Sequence, residues 1–397
     1  MTAHELDREV VKLARTFGLR VEAIKQQFVD RDEVLDVVAL AVLCREHVLL
    51  VGPPGTAKTS MLQRFAAMLE TEPFHYLLTK FTEPAELFGP VDVRRFHEGF
   101  YEINTAGMLP TARIAFLDEV FQGSSAILNS LLTLINERVF HNGGRLVNVD
   151  LLTLLGATNE VPNDPVLQAF GDRFLFRCRV DYVPDAAVEE MLAMGWKAER
   201  EVIRGNGGGP GGRAAVDRFP IEQLKVLQHA VAEIDLGDTR GALADLIKAF
   251  REEGIAFSDR RIVKSQRAIA ASALLAGRGT ATVEDLAPIV HLWSSPQDEV
   301  SIRRIVEAQG VPVRSIAAGV RELPEIMFEL RRLRRAAPDV GSVEEAREAI
   351  RVLGHLVQEI RASHPDAHHE LGEAQGAQRE YLQLVRDHFT AEESGRV

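Results

Sequence analysis

The stretch HVLLVGPPGTAKTSMLQRFAAMLE, residues 47–70, constrains this chain more than any other: a short apolar run, a loop with two glycines, then a helical pattern. That order is the context a phosphate-binding loop requires. Gly52 and Gly55 let the backbone bend so that its N–H groups and the following helix N-terminus converge on one anion. Lys58 would then reach the β- and γ-phosphates and Thr59 would hold magnesium. Gly52, Pro53, Pro54, Gly55, Thr56, Ala57, Lys58, Thr59 and Ser60 form the candidate nucleotide cradle. Ala57 stands where the strict pattern has glycine. An ordinary negative φ at a helix start would accommodate its methyl group.

Four further apolar runs, FHYLLT (74–79), RIAFL (113–117), LLTLLGA (151–157) and RFLFRC (173–178), alternate with helical or loop sequence. Runs apolar throughout suit strands buried on both faces of a largely parallel sheet. They predict a three-layer α/β core over about residues 20–185. In such a sheet ligands gather at the carboxyl ends of the strands. IAFLDE ends there in Asp118 and Glu119, a magnesium-supporting carboxylate and a candidate general base, and ATNE puts Asn159 at the same edge. GDRF supplies Arg173, and FSDRR supplies Arg260 and Arg261 in the first turn of a helix. Cations there oppose the helix dipole; a bound triphosphate would account for them, as would surface acids.

Two helices are expected over residues 3–17 and 21–44. Past Asp185 the strand signals fade, and the helices expected near 219–234, 240–253, 259–276 and 283–293, the last opened by the capping box at Thr282, make an all-helical second unit. RGNGGGPGGR (204–213) reads as a flexible loop, and further helices, one starting at SVEE (342–345), follow residue 309. The expected division is 1–185, 186–308 and 309–397. A net charge of -12 disfavours nucleic acid as a partner, and RRLRR (331–335) reads better as a solvated helix face than as a phosphate contact. No apolar run approaches the roughly 18 residues that cross a bilayer, and MTAHELDREV has no secretory apolar segment, so the cytoplasm is the expected compartment. Cys44 and Cys178 lie in apolar stretches, which suits buried free thiols.

In this order and spacing GPPGTAKT, IAFLDE, ATNE, GDRF and SDRR resemble the MoxR family of AAA+ ATPases, and within it the RavA-like branch. ELFGP (86–90), EGFYEINTAGMLP (98–110), AILNSLLTLINERVFHNGG (126–144) and SDRRIVKSQRAIAASALLAGR (258–278) are similar to that branch too. Alanine at position 57 is usual in the family. The resemblance implies a P-loop αβα core, an all-α lid and a C-terminal helical extension. It implies Lys58 and Thr59 as Walker A, Asp118 and Glu119 as Walker B, Asn159 as sensor 1, Arg173 as arginine finger and Arg260 as sensor 2, with Arg261 as the alternative. The implied cofactors are ATP and magnesium, the latter on Thr59 and, through water, Asp118. Hexameric rings, chaperone-like remodelling and a partner with a von Willebrand factor A domain follow from the same resemblance, which does not extend over residues 310–397.

Two other functions suit parts of the pattern: a nucleic-acid motor, which the acidic balance opposes, and a nucleotide-gated scaffold with slow hydrolysis. In RRFHEGFYEI (94–103) the pair Glu98-Gly99 is expected at a hairpin tip, where Phe96, Phe100 and Tyr101 either pack the hairpin or meet a client.

Overall fold

The computed structural model describes residues 6–204, 217–311, 323–337, scattered positions between 346 and 360, and 367–394. The chain forms two compact units, residues 1–319 and 320–397. The glycine-rich stretch beyond Arg204 and the helix start at SVEE lie outside the described residues.

All five expected strands form one parallel sheet. They are β1 (Val48–Val51), β2 (Phe74–Leu77), β3 (Ile114–Asp118), β6 (Thr153–Thr158) and β7 (Phe176–Arg179), in the order β2-β3-β6-β1-β7. The three inner strands carry the continuous apolar runs and are buried almost throughout, whereas edge strand β2 alternates. Residues 139–148 form an unexpected antiparallel hairpin, β4 (Val139–Asn142) and β5 (Arg145–Asn148). Its turn residues Gly143 and Gly144 both take positive φ, and the Asn-Gly-Gly cluster was its visible signal. Gly143 is required twice over, since a Cβ there would lie 2.0 Å from the carbonyl oxygen of Tyr101.

The helices expected over 3–17 and 21–44 are instead α1 (Arg8–Lys25) and α2 (Asp32–Cys44). The break at 26–31 serves Arg31, whose guanidinium is buried on backbone carbonyls of two other segments. From Val34 to Cys44 every residue of α2 is buried, because the helix lies against β1, β7, α1, α9 (Ile221–Glu233) and α11 (Asp259–Leu275) at once. On the sheet lie α3 (Lys58–Met68), α6 (Ser125–Glu137) and α7 (Pro165–Gly171), with short helices α4 (Pro84–Phe88) and α5 (Val93–His97) between β2 and β3. After β7 come α8 (Val188–Ile203), α9, α10 (Thr239–Glu252), α11 and α12 (Pro296–Ala308). The expected helix 283–293 forms as a 3-10 segment, Val283–His291. Its capping box between Thr282 and Asp285 is present, but Pro288 has no N–H for an α-helical bond and crowds the preceding turn. The fold is an α/β P-loop core with a helical lid and C-terminal helices.

In the second unit α13 (Leu323–Ala336) and α14 (His368–Ser394) share a core of Ile326, Leu330, Leu353, Ile360 and Tyr381. Arg331, Arg334 and Arg335 of RRLRR are exposed, and Arg334 pairs with Glu380 at 3.0 Å. This is a solvated face. Cys44 and Cys178 are buried free thiols whose ionisation burial pushes well up.

Candidate functional site

The parallel register sets the site. Val51 pairs with Thr158, and Leu117 with Gly156, so the residues that follow β1, β3 and β6 emerge at one sheet edge. Gly52 donates its N–H to Thr158 O at 3.0 Å, and a Cβ on Gly52 would stand 2.3 Å from Val180 O, so no larger residue fits between these strand ends. The loop then closes on itself: Thr56 Oγ1 donates to Pro53 O at 3.1 Å, and Lys58 Nζ donates to Gly52 O at 2.8 Å and Pro53 O at 2.9 Å. Lys58 is buried, and desolvation lowers its pKa against the opposing pull of Asp118 and Glu119.

Ala57 overturns the expectation of a negative φ. It caps α3 with φ 63° and ψ 17°, in the left-handed region. There a Cβ costs about 1–2 kcal/mol, whereas glycine loses up to about 1 kcal/mol in chain entropy. Ala57→Gly is therefore expected to raise stability by on the order of 1 kcal/mol with nucleotide binding retained, read from the urea midpoint.

Asp118 ends β3, and Glu119 follows with φ 51°, a second left-handed residue that apolar patterning could not reveal. Glu119 N–H donates to Asp118 Oδ1 at 3.1 Å, and Asn159 Nδ2 donates to Glu119 Oε1 at 2.9 Å. The asparagine expected at this edge thus holds the glutamate directly.

Arg31 was missed by the sequence reading. Its Nε donates to Thr56 O at 3.2 Å and its Nη2 to Asp181 O at 2.8 Å, so it braces the phosphate loop from the α1–α2 turn. The sequence carried no signal for it: the N-cap position and the burial of Arg31 appear only in the fold. Beside it a cavity of about 720 Å³ is lined by Val29, Arg31, Asp181, Met194 and His291, among others. Burial lowers the His291 pKa to about 4.

Arg173 does not open a strand. It follows α7 in a turn before β7, with Nη1 donating to Ala169 O at 3.1 Å and forming an ion pair with Asp172 at 3.7 Å. Phe176 pairs with Val48 at the amino end of β1, so Arg173 sits at the edge away from the phosphate loop. Arg260 lies near enough that its charge, after burial, lowers the Arg173 pKa, and Arg260 Nη1 donates to Asn136 Oδ1 at 3.1 Å. Asp172 accepts from Ser258 Oγ, the N-cap of α11, which ties the two arginines' elements together. Arg261 has a different place. It is fully buried, with its pKa lowered to about 9, and donates to Leu175 O, Trp293 O and Ser294 Oγ.

The expected hairpin tip at Glu98-Gly99 is a one-turn helix. Asp92 caps α5, Gly99 takes φ 85° just past its end, and Val91 and Ile103 close the base as an antiparallel bridge. Arg95 pairs with both Glu98 and Glu102 and lies over the Phe100 ring. Asn142 of β4 accepts from Ile103 N–H at 2.7 Å and donates to Ile103 O at 3.0 Å, fastening the β4–β5 hairpin to this excursion. Phe96 is 60% exposed, Tyr101 58% and Leu146 63%, while Phe100, 51% exposed, packs beneath Arg95.

Residues 15–206 match a family model described as the MoxR domain of MoxR–vWA–β-propeller ternary systems, and residues 238–306 match an AAA lid domain. An uncharacterised protein of Methanocaldococcus jannaschii, MJ0812, is 33% identical over 84% of this chain and 87% of its own length. Chaperone MoxR1 of Mycobacterium tuberculosis is 28% identical over 43% of this chain and 46% of its own. A candidate ATPase of Cytophaga hutchinsonii, 17% identical, shares the fold at a TM-score of 0.59 over 75% of this chain and 95% of that one. The phosphate loop, the parallel sheet and the lid define an AAA+ ATPase. The chain belongs to the MoxR family of these proteins.

Proposed function

We propose that the chain hydrolyses ATP with magnesium in a hexameric ring and uses the cycle to remodel or assemble a protein client. The observation that carries the reading is the convergence of Lys58, Asp118, Glu119 and Asn159 at one sheet edge. A nucleoside triphosphate suits the residues present. The N–H groups in the first turn of α3 have no partner within the helix, and the Lys58 ammonium rests on loop carbonyls that phosphate oxygens can replace. Magnesium binds through one or two protein oxygens beside phosphates and water, and the Thr59 hydroxyl and the Asp118 carboxylate are the oxygens offered. No cage of three or more metal-ligating side chains occurs among the described residues. The metal would neutralise phosphate charge. Glu119 accepts a proton from the attacking water, Asn159 orients it, and Arg31 keeps the loop in shape. The cavity beside Arg31 takes the base and ribose.

Arg173 and Arg260 serve a neighbouring subunit's nucleotide from the opposite edge, Arg260 in the sensor 2 role, while Arg261 stays a structural clamp. Exposed Phe96, Tyr101 and Leu146 form the client face. A chaperone role agrees with the name of MoxR1, and a von Willebrand factor A domain partner with the systems from which the matched family model is drawn. ELFGP (86–90) and SDRRIVKSQRAIAASALLAGR (258–278) support the RavA-like branch. Residues 1–185 act as the core, 186–308 as the lid and 309–397 as the extension. No described helix is long and apolar enough to cross a membrane, and a cytoplasmic site of action is part of the proposal.

The test is ATP turnover by the purified chain, with and without EDTA. Turnover should stop without magnesium, and Lys58→Ala should lose ATP binding itself, because the phosphates lose their main side-chain cation. Normal hydrolysis by Lys58→Ala would reject the site. A paired measurement addresses the client face: Phe96→Ser with Tyr101→Ser should keep basal turnover and lose stimulation by casein as a model unfolded protein. Unchanged stimulation would count against that face.

A further inference from the structure

At the sheet edge opposite the phosphate loop, a cavity of about 610 Å³ opens between the residues preceding β1, β4 and β6 and the helices α9, α10 and α11. Arg45, Arg138, Lys225, Arg240 and Arg267 line it, against the single carboxylate of Asp150. In a chain of net charge -12 this is a local reversal of sign. Lys225 and Arg267 have carboxylate partners, Glu222 and Glu46, each at 3.1 Å. For Arg45, Arg138 and Arg240 no ion pair occurs among the described residues; Arg240 makes a long bond to Gln266 Oε1 at 3.4 Å.

One observation indicates that an anion belongs here. Arg138, fixed by Nη2 bonds to the carbonyls of Arg45 and Leu152, and Arg45 itself line the cavity with no ion-pair partner among the described residues. Their charges oppose one another: after burial, Arg45 is the largest influence lowering the Arg138 pKa to about 10. A ligand anion in the cavity would offset that repulsion. Guanidinium groups favour planar or tetrahedral oxyanions bound through two N–H groups, and three without ion-pair partners exceed what a single negative charge would balance. The volume suits a small molecule.

We propose that this cleft is a second anion site, which takes a small molecule bearing two or more phosphate groups. Such a ligand would bridge Arg45 and Arg138, which end α2 and α6, to Arg240 on α10, fastening the helices that follow residue 219 to the core. The test is calorimetric titration of inorganic triphosphate, in EDTA, into the full chain carrying Lys58→Ala, so that the phosphate loop is disabled. One-to-one binding should persist. Adding Arg45→Gln or Arg240→Gln should weaken it roughly tenfold, and Asp150→Asn, which removes the competing carboxylate, should strengthen it a fewfold. Arg240 is exposed, so its variant folds even if Arg45→Gln does not. Weakening in either arginine variant supports the site. Absence of binding in Lys58→Ala, or affinity unchanged by both arginine variants, overturns it.

Discussion

Glu119→Gln is expected to bind ATP as the parent does and to lose about a hundred- to ten-thousandfold in turnover. The bond between Asn159 and Glu119 makes the substitution clean. Asn159 Nδ2 donates to Glu119 Oε1 at 2.9 Å, and the glutamine amide keeps an oxygen acceptor in that place while losing the basic carboxylate. The left-handed backbone at residue 119 is equally open to either side chain. Binding and chemistry therefore separate in one variant, and full turnover by it would remove Glu119 from the mechanism. Asn159→Asp tests the same contact from the other side. A second carboxylate at this distance would raise the Glu119 pKa, so the variant should be slowest at low pH and recover as pH rises and the base ionises. A pH-rate profile parallel to the parent's would mean that Asn159 does not act through Glu119.

The strands and the phosphate loop were legible because burial on both faces writes itself as unbroken apolar runs, and because the loop's glycines answer to local geometry. What escaped the sequence depends on long-range contact. Arg31 looks like one more charge in VDRDEV until the fold brings Thr56 and Asp181 to it. Adjacent Arg260 and Arg261 read alike, yet the step of about 100° between neighbours on α11 leaves the first exposed on Asn136 and buries the second on Leu175 and Trp293. Ala57 and Glu119 adopt backbone angles that composition argues against, each held by the turn after a buried strand. Both belong to the candidate site, where local preference yields to placement of a functional group.

Mixing two inactive variants should restore activity, if Arg173 works on a neighbouring subunit. Strand polarity carries the argument. Val51 pairs with Arg179 at the phosphate-loop end of the sheet and Val48 with Phe176 at the other, and Arg173 precedes Phe176 by a further three residues. The three strand steps alone span about 10 Å at about 3.3 Å per residue, and Arg173 lies in the turn beyond them, on the side away from its own subunit's phosphate loop. Burial first, and then the positive charge of Arg260 beside it, lower the Arg173 pKa, against the opposing pull of Asp172. Two cations held together against their repulsion suit a triphosphate delivered from outside the subunit. Arg173→Ala should then keep ATP binding and lose on the order of a thousandfold in rate. A purely structural arginine, bonded to Ala169 O and Asp172, would instead lose thermal stability in proportion to its rate. Combined with Lys58→Ala subunits, Arg173→Ala rings set an intact phosphate loop from one variant against an intact finger from the other, and part of the turnover should return. No recovery, with mixed assembly confirmed by size, would place the action of Arg173 within its own subunit or remove it from catalysis.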